Sequence, residues 1–73
     1  MAQLEAVTLR EIERILAVTD GLGVHREAVM IPLRPRHPGG VRRMPNGKLE
    51  IVADSDDFEG WLGGLEAAVR ALL

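Results

Sequence analysis

The stretch Val41-Arg42-Arg43-Met44-Pro45-Asn46-Gly47-Lys48-Leu49-Glu50-Ile51-Val52-Ala53 turns back on itself by its own chemistry. Asn46-Gly47 between two β-prone arms is the strongest short hairpin signal, because both residue types tolerate the backbone that a tight reversal needs. Val41 to Met44 and Lys48 to Ala53 are the two arms. In the second, Leu49, Ile51 and Ala53 alternate with Glu50 and Val52, so one face is apolar and the other is mixed.

Upstream, Pro38-Gly39-Gly40 is read as a turn, and Ala28-Val29-Met30-Ile31-Pro32-Leu33 as a further strand with Val29, Ile31 and Leu33 on one side. Pro32 has no amide to donate, which places that strand at a sheet edge. Pro32, Pro35 and Pro38 recur every three residues, the polyproline II period, a register that aromatic grooves also recognise.

Both flanks of this β region read as helix. Thr8-Leu9-Arg10-Glu11 is a capping box, with Val7 and Ile12 placed for a hydrophobic staple. Leu9, Ile12, Ile15 and Leu16 follow a helical apolar period, and Leu4 and Val7 extend it, so the first helix is expected to run upstream over Ala2 to Val7. Asp20-Gly21-Leu22-Gly23 ends it near Thr19 with a glycine cap. The last helix is expected over Asp57 to Leu73, capped by Asp54, Ser55 or Asp56, with the acidic cluster compensating the helix dipole. The order helix, edge strand, β-hairpin, helix over 73 residues gives one α+β domain, residues 1–73, with both helices on one face of a small antiparallel sheet.

The last helix carries an unusual surface. Phe58, Trp61, Leu62, Leu65, Val69 and Leu72 form a core stripe, while Gly60, Gly64, Ala67 and Ala71 lie opposite, with Gly63 beside the polar strip of Glu59, Glu66 and Arg70. Each interior glycine costs a helix about 1 kcal/mol. A chain this short buries only about 60% of its unfolded surface, and without cysteine it has no disulfide to help. Small residues four apart let a second backbone approach closely. Gly60, Gly63, Gly64, Ala67 and Ala71 are therefore expected to form a subunit contact, with a homodimer as the default assembly.

Charge is segregated along the chain. Residues 1–24 carry net −2, residues 25–48 net +5 and residues 49–73 net −5. Arg34, Arg36, Arg42, Arg43 and Lys48 in the basic centre are the candidate anion-binding set, suited to phosphates or nucleic acid. Eight of nine basic residues are Arg, which fits a GC-rich prokaryotic genome or a thermophile.

Motifs for catalysis are missing. His25 and His37 stand at no metal-ligand spacing. Asp54-Ser55-Asp56-Asp57-Phe58-Glu59 departs from a calcium loop at Phe58 and Glu59. Ser55 is the single serine, and Gly21-Leu22-Gly23 lacks the further glycine of a phosphate loop. No apolar run approaches the roughly 18 residues of a membrane span, and the N-terminus lacks a signal-peptide pattern. The expected protein is a complete cytoplasmic chain that is not an enzyme and has no cofactor or metal. It would act as a homo-oligomeric binding or regulatory module, with anion or nucleic-acid binding through Arg34 to Lys48 as the alternative. A third reading, an enzyme site built between subunits from His25, His37 and acidic residues, would need a pocket holding a histidine beside a carboxylate.

Met44-Pro45-Asn46-Gly47-Lys48-Leu49-Glu50-Ile51-Val52 resembles the hairpin that precedes the zinc helix of neutral metallopeptidases of the ImmA/IrrE type. The resemblance covers nine residues. That family's helix carries His-Glu-x-x-His, whereas this chain offers Gly63-Gly64-Leu65-Glu66-Ala67-Ala68. The resemblance thus implies at most a degenerate peptidase-like fragment without its zinc site.

Overall fold

A computed structural model describes residues 6–73. The elements run in the order α1 (Leu9–Gly21), a 3₁₀ turn (Arg26–Ala28), β1 (Val29–Met30), β2 (Gly40–Arg43), β3 (Leu49–Val52), α2 (Phe58–Gly63) and α3 (Leu65–Arg70). The domain is α+β, with its helices on one side of a three-stranded sheet.

The hairpin forms as its sequence dictates. Met44 N donates to Lys48 O at 2.7 Å and Gly47 N to Met44 O at 2.9 Å, closing a three-residue loop in which Gly47 sits at φ +87°. A glycine in the left-handed region after a tight turn is the usual closure for this loop length. Asn46 adds a side-chain bond, its Oδ1 accepting from Lys48 N at 3.0 Å.

The sheet is mixed, which corrects the all-antiparallel expectation. Its order is β1-β3-β2, with β3 in the middle, antiparallel to β2 and parallel to β1. The chain leaves β1 on one edge and must reach β2 on the opposite edge, so it crosses the C-terminal end of β3. Residues 31–39 form that strap. The strap also shortens the expected strand: Ala28 falls in the 3₁₀ turn, pairing ends at Met30, and Leu33 is 61% exposed. Pro32 removes one donor, and Leu33 O is taken instead by Val7 N at 2.9 Å. β1 is an edge strand, as expected, with Pro32 lying beyond its paired residues.

At α1 the capping box is present: Thr8 Oγ1 accepts from Glu11 N, and the Glu11 carboxylate accepts from Thr8 N at 3.2 Å. Thr8 is extended (φ −87°, ψ 167°), so the helix begins at Leu9 and does not continue back through Ala6 and Val7. The rest of the expected upstream extension lies on residues 1–5, outside the described region. Leu9 is 72% exposed, so the apolar face starts at Ile12. The C-terminus is a full Schellman motif: Val24 N bonds Thr19 O, Gly23 N bonds Asp20 O, and Gly23 sits at φ +76°.

The last helix is broken. Gly64 N closes a short turn onto Trp61 O at 3.1 Å, and α3 restarts at Leu65. Two consecutive glycines hold a helix weakly, and this pair yields. The cap is Asp57, whose Oδ1 accepts from Gly60 N at 3.0 Å; none of Asp54, Ser55 or Asp56 serves. The core stripe survives the break. Leu65 and Val69 are buried with Ile15, Leu49, Ile51, Ala53 and Val7, and Phe58, Trp61, Leu62 and Leu72 pack around them. Arg14 of α1 clasps Glu59 of α2 with both guanidinium amino groups and lies 5.7 Å from the Phe58 ring centre. None of the helices among the described residues is long and apolar enough to cross a membrane.

Candidate functional site: the open face of the sheet

β3 buries Leu49, Ile51 and Ala53 toward the helices, so Glu50 and Val52 face the other way. The register places Arg42 opposite Glu50 and Gly40 opposite Val52 on β2, and Met30 beside Glu50 on β1. No described helix covers this second face. Instead the strap and the turn into β2 rise around it and leave two adjoining clefts. One, of about 500 Å³, lies between Pro32, Leu33, Arg34, Pro35 and Arg36 over a floor of Glu50 and Val52. The other, of about 220 Å³, lies between Arg36, Pro38, Gly39, Gly40 and Arg42 over the same floor. Arg36, Glu50 and Val52 belong to both, so the clefts make one groove across the face.

Asp54 is the main side-chain anchor of the strap. Asp54 is 5% exposed. Its Oδ2 accepts from Gly39 N at 3.0 Å, and its Oδ1 accepts from Asp56 N and Asp57 N at 2.8 Å each. His37 Nδ1 lies 3.2 Å from the same Oδ1 and 3.6 Å from Asp56 Oδ2. Arg36 N donates to Ala53 O and Arg36 O accepts from Ser55 N, which completes a parallel bridge alongside the end of β3. The amides of Asp57, Gly39 and Asp56, with His37, hold the Asp54 carboxyl far below the ordinary carboxylate range. The hydrogen bond to Asp54 and the charge of Asp56 raise the His37 pKa above its ordinary value. A β-carbon on Gly39 would come within 2.6 Å of both Asp54 N and Val52 O, so only glycine passes over β3 here.

The five basic candidates divide. Arg34, Arg36 and Arg42 line the groove. Arg43, one residue on from Arg42, falls on the helix side, where its guanidinium donates to Leu72 O. Lys48 stands at the hairpin end, beside His25, Glu27 and Asn46. Arg42 Nε pairs with Glu50 Oε1 at 2.6 Å. Arg34 and Arg36 form no ion pair with a described residue; the other arginine–carboxylate pairs use Arg14, Arg26 and Arg70. The Arg26 guanidinium lowers the Asp20 pKa, and Arg14 lowers that of Glu59.

The two histidines do not meet in one site. His25 Nδ1 accepts from Glu27 N and caps the 3₁₀ turn. His37 does lie beside a carboxylate, but neither cleft of the groove is lined by its ring. Ser55 Oγ is turned to Asp56 rather than to an imidazole. Among the described residues no three His, Asp or Glu are arranged to hold a metal ion. Sequence reasoning missed Glu50 and Gly39. Strand alternation already placed Glu50 away from the core, but the walls that make it a floor come from the strap.

The oligomer candidates Gly60, Gly63, Gly64, Ala67 and Ala71 are all exposed. Gly60 has a reason within the chain, since a β-carbon there would strike the carboxylate of the Asp57 cap. Gly63 faces open space.

In an alignment 69 positions long that covers 89% of the chain, it is 39% identical to the DNA mismatch repair protein MutS of Anaeromyxobacter dehalogenans (strain 2CP-C). It spans 8% of that relative's length. No protein-family model matches the chain, and no solved structure matches it.

Proposed function

We propose that this domain is a non-catalytic binding module that takes a nucleic-acid backbone in the groove on its open sheet face. The observation that carries the reading is the pair Arg34 and Arg36, two guanidiniums on the groove wall without a carboxylate partner among the described residues. A guanidinium presents a rigid fork of donors matched to phosphate oxygens. The similarity to a segment of a DNA mismatch repair protein supports nucleic acid over other polyanions.

Fluorescence anisotropy with labelled 12-mer DNA tests this. Affinity should fall with salt, with a log–log slope of about −2 if three phosphates are neutralised on a single strand. Replacing Arg34 and Arg36 together by alanine should cut that slope by about 1.4. Absence of salt-sensitive binding at 50 mM salt would refute the reading.

Self-association through the last two helices is a second reading, favoured by the exposed face of Gly63, Gly64, Ala67 and Ala71. It predicts that the protein elutes from gel filtration earlier than an 8.0 kDa monomer at micromolar concentration. A monomeric volume would remove it.

A further inference from the structure

We infer that the groove is a single-strand site in which Glu50 reads a guanine base. This rests on the nucleic-acid reading above and adds strand type and base. The helices lie on the opposite side of the sheet, so this face offers no helix to enter a duplex groove. The face is recessed instead, bounded by the strap and the Pro38–Gly40 turn. It is three strands across, about 10 Å between the outer strands. An unstacked strand with splayed bases fits such a surface, as single-stranded targets are usually read.

The charges are ordered in depth. Arg34, Arg36 and Arg42 stand on the walls and Glu50 is the floor, its side chain 19% exposed against 63% for Arg42. A phosphodiester therefore meets guanidiniums at the rim, while whatever reaches the floor must donate hydrogen bonds. Glu50 Oε1 is held by Arg42 Nε, which fixes the carboxylate, and Oε2 keeps no protein hydrogen bond among the described residues. Of the four DNA bases, thymine sets its single imino N–H between two carbonyl oxygens that repel a carboxylate. Adenine and cytosine set an amino group beside a ring-nitrogen acceptor. Guanine alone presents two adjacent donors, N1–H and N2–H, without an intervening acceptor. Val52 and Pro35 supply apolar contact for the base plane, and the Arg36 guanidinium offers a flat surface for stacking.

The test uses the whole chain and labelled (dG-dT)6, dT12, dC12 and dA12 in anisotropy titrations. The expected result is binding of (dG-dT)6 about tenfold tighter than of dT12, the lower part of the range for one bidentate base contact. Glu50→Gln should bring the two within about twofold. Wild-type protein is also titrated with (dI-dT)6, whose hypoxanthine lacks the N2 amino group; this probe should lose most of the preference, a readout that needs no variant to fold. Equal wild-type affinity for (dG-dT)6 and dT12 would overturn the base assignment and leave the backbone reading standing. Tighter binding of a 12-bp duplex than of any single strand would overturn the strand assignment. Failure to bind any of these DNAs at 50 mM salt would remove both.

Discussion

Gly39 and Gly40 are neighbours of one residue type, and the fold gives them opposite tolerances. A β-carbon at Gly39 would lie 2.6 Å from Asp54 N, 2.6 Å from Val52 O and 2.9 Å from Asp54 Cα. Ordinary carbon contacts begin near 3.5 Å, so the strap must lift from β3 by about 1 Å. All three obstacles are backbone atoms, and no rotamer change relieves them. Lifting the strap breaks the 3.0 Å bond from Gly39 N to Asp54 Oδ2. Overpacking costs about 1–3 kcal/mol and the lost bond about 0.5–1.5, against about 0.4–1 regained from a stiffer unfolded chain. Gly39→Ala should therefore destabilise by about 2–3 kcal/mol. For a domain of this size that lowers Tm by about 10–20 °C. Gly40→Ala meets nothing within 4 Å and should leave Tm unchanged or raise it by a few degrees. Thermal melts followed by circular dichroism compare the two directly. Equal melting temperatures for the two variants would refute the strap crossing as described.

Two further outcomes follow from the same geometry. Asp54, held below its ordinary 3.8, contributes stability that is present above that value and is lost as pH falls through its folded-state pKa. His37, raised above 6.5, contributes stability that is full below 6.5 and is lost as pH rises through its folded-state pKa. The urea midpoint should thus plateau between pH 3.8 and 6.5, and His37→Gln should flatten the alkaline decline while keeping the acid one. Gly63→Ala, with open space around the new methyl, should raise the Tm of a monomer by about 2–8 °C; if the helix face packs against another subunit, the same change should shift gel filtration toward a smaller species.

The elements that were legible in the sequence are those closed by short-range chemistry. The hairpin at Asn46-Gly47, the capping box at Thr8 and Glu11, and the glycine end of α1 each complete their hydrogen bonds within a few residues. The strap was not legible, because its register depends on Asp54 accepting from Gly39, 15 residues away in the chain. In the sequence Asp54 stands first in an acidic run before a helix, where a cap is the simplest reading. The structure gives the cap to Asp57 and uses Asp54 to tie down a crossover. Pro38-Gly39-Gly40 likewise reads as an ordinary turn, and nothing local distinguishes the glycine that is needed from the one that is not. Gly63-Gly64 was visible, but its consequence, a break in the helix, depends on whether the surroundings reinforce the helix there.

The basic centre shows how a linear cluster misleads about a surface. Arg42 and Arg43 are adjacent, and strand alternation alone sends them to opposite faces. One joins the groove; the other reaches the carbonyl of Leu72 on the helix side. The net +5 of residues 25–48 is therefore not the charge of any one patch. Around the groove floor the balance is three guanidiniums against Glu50, with Arg34 and Arg36 left to meet a ligand. A purely electrostatic clamp would be weakened by a carboxylate at its base, since desolvating Glu50 beneath a phosphate is unfavourable. The Arg42–Glu50 pair braces the two strands, and a carboxylate oriented at that depth suits a ligand that brings N–H donors to it. In the proposed reading, Glu50 is what separates recognition of a base from mere attraction to a backbone.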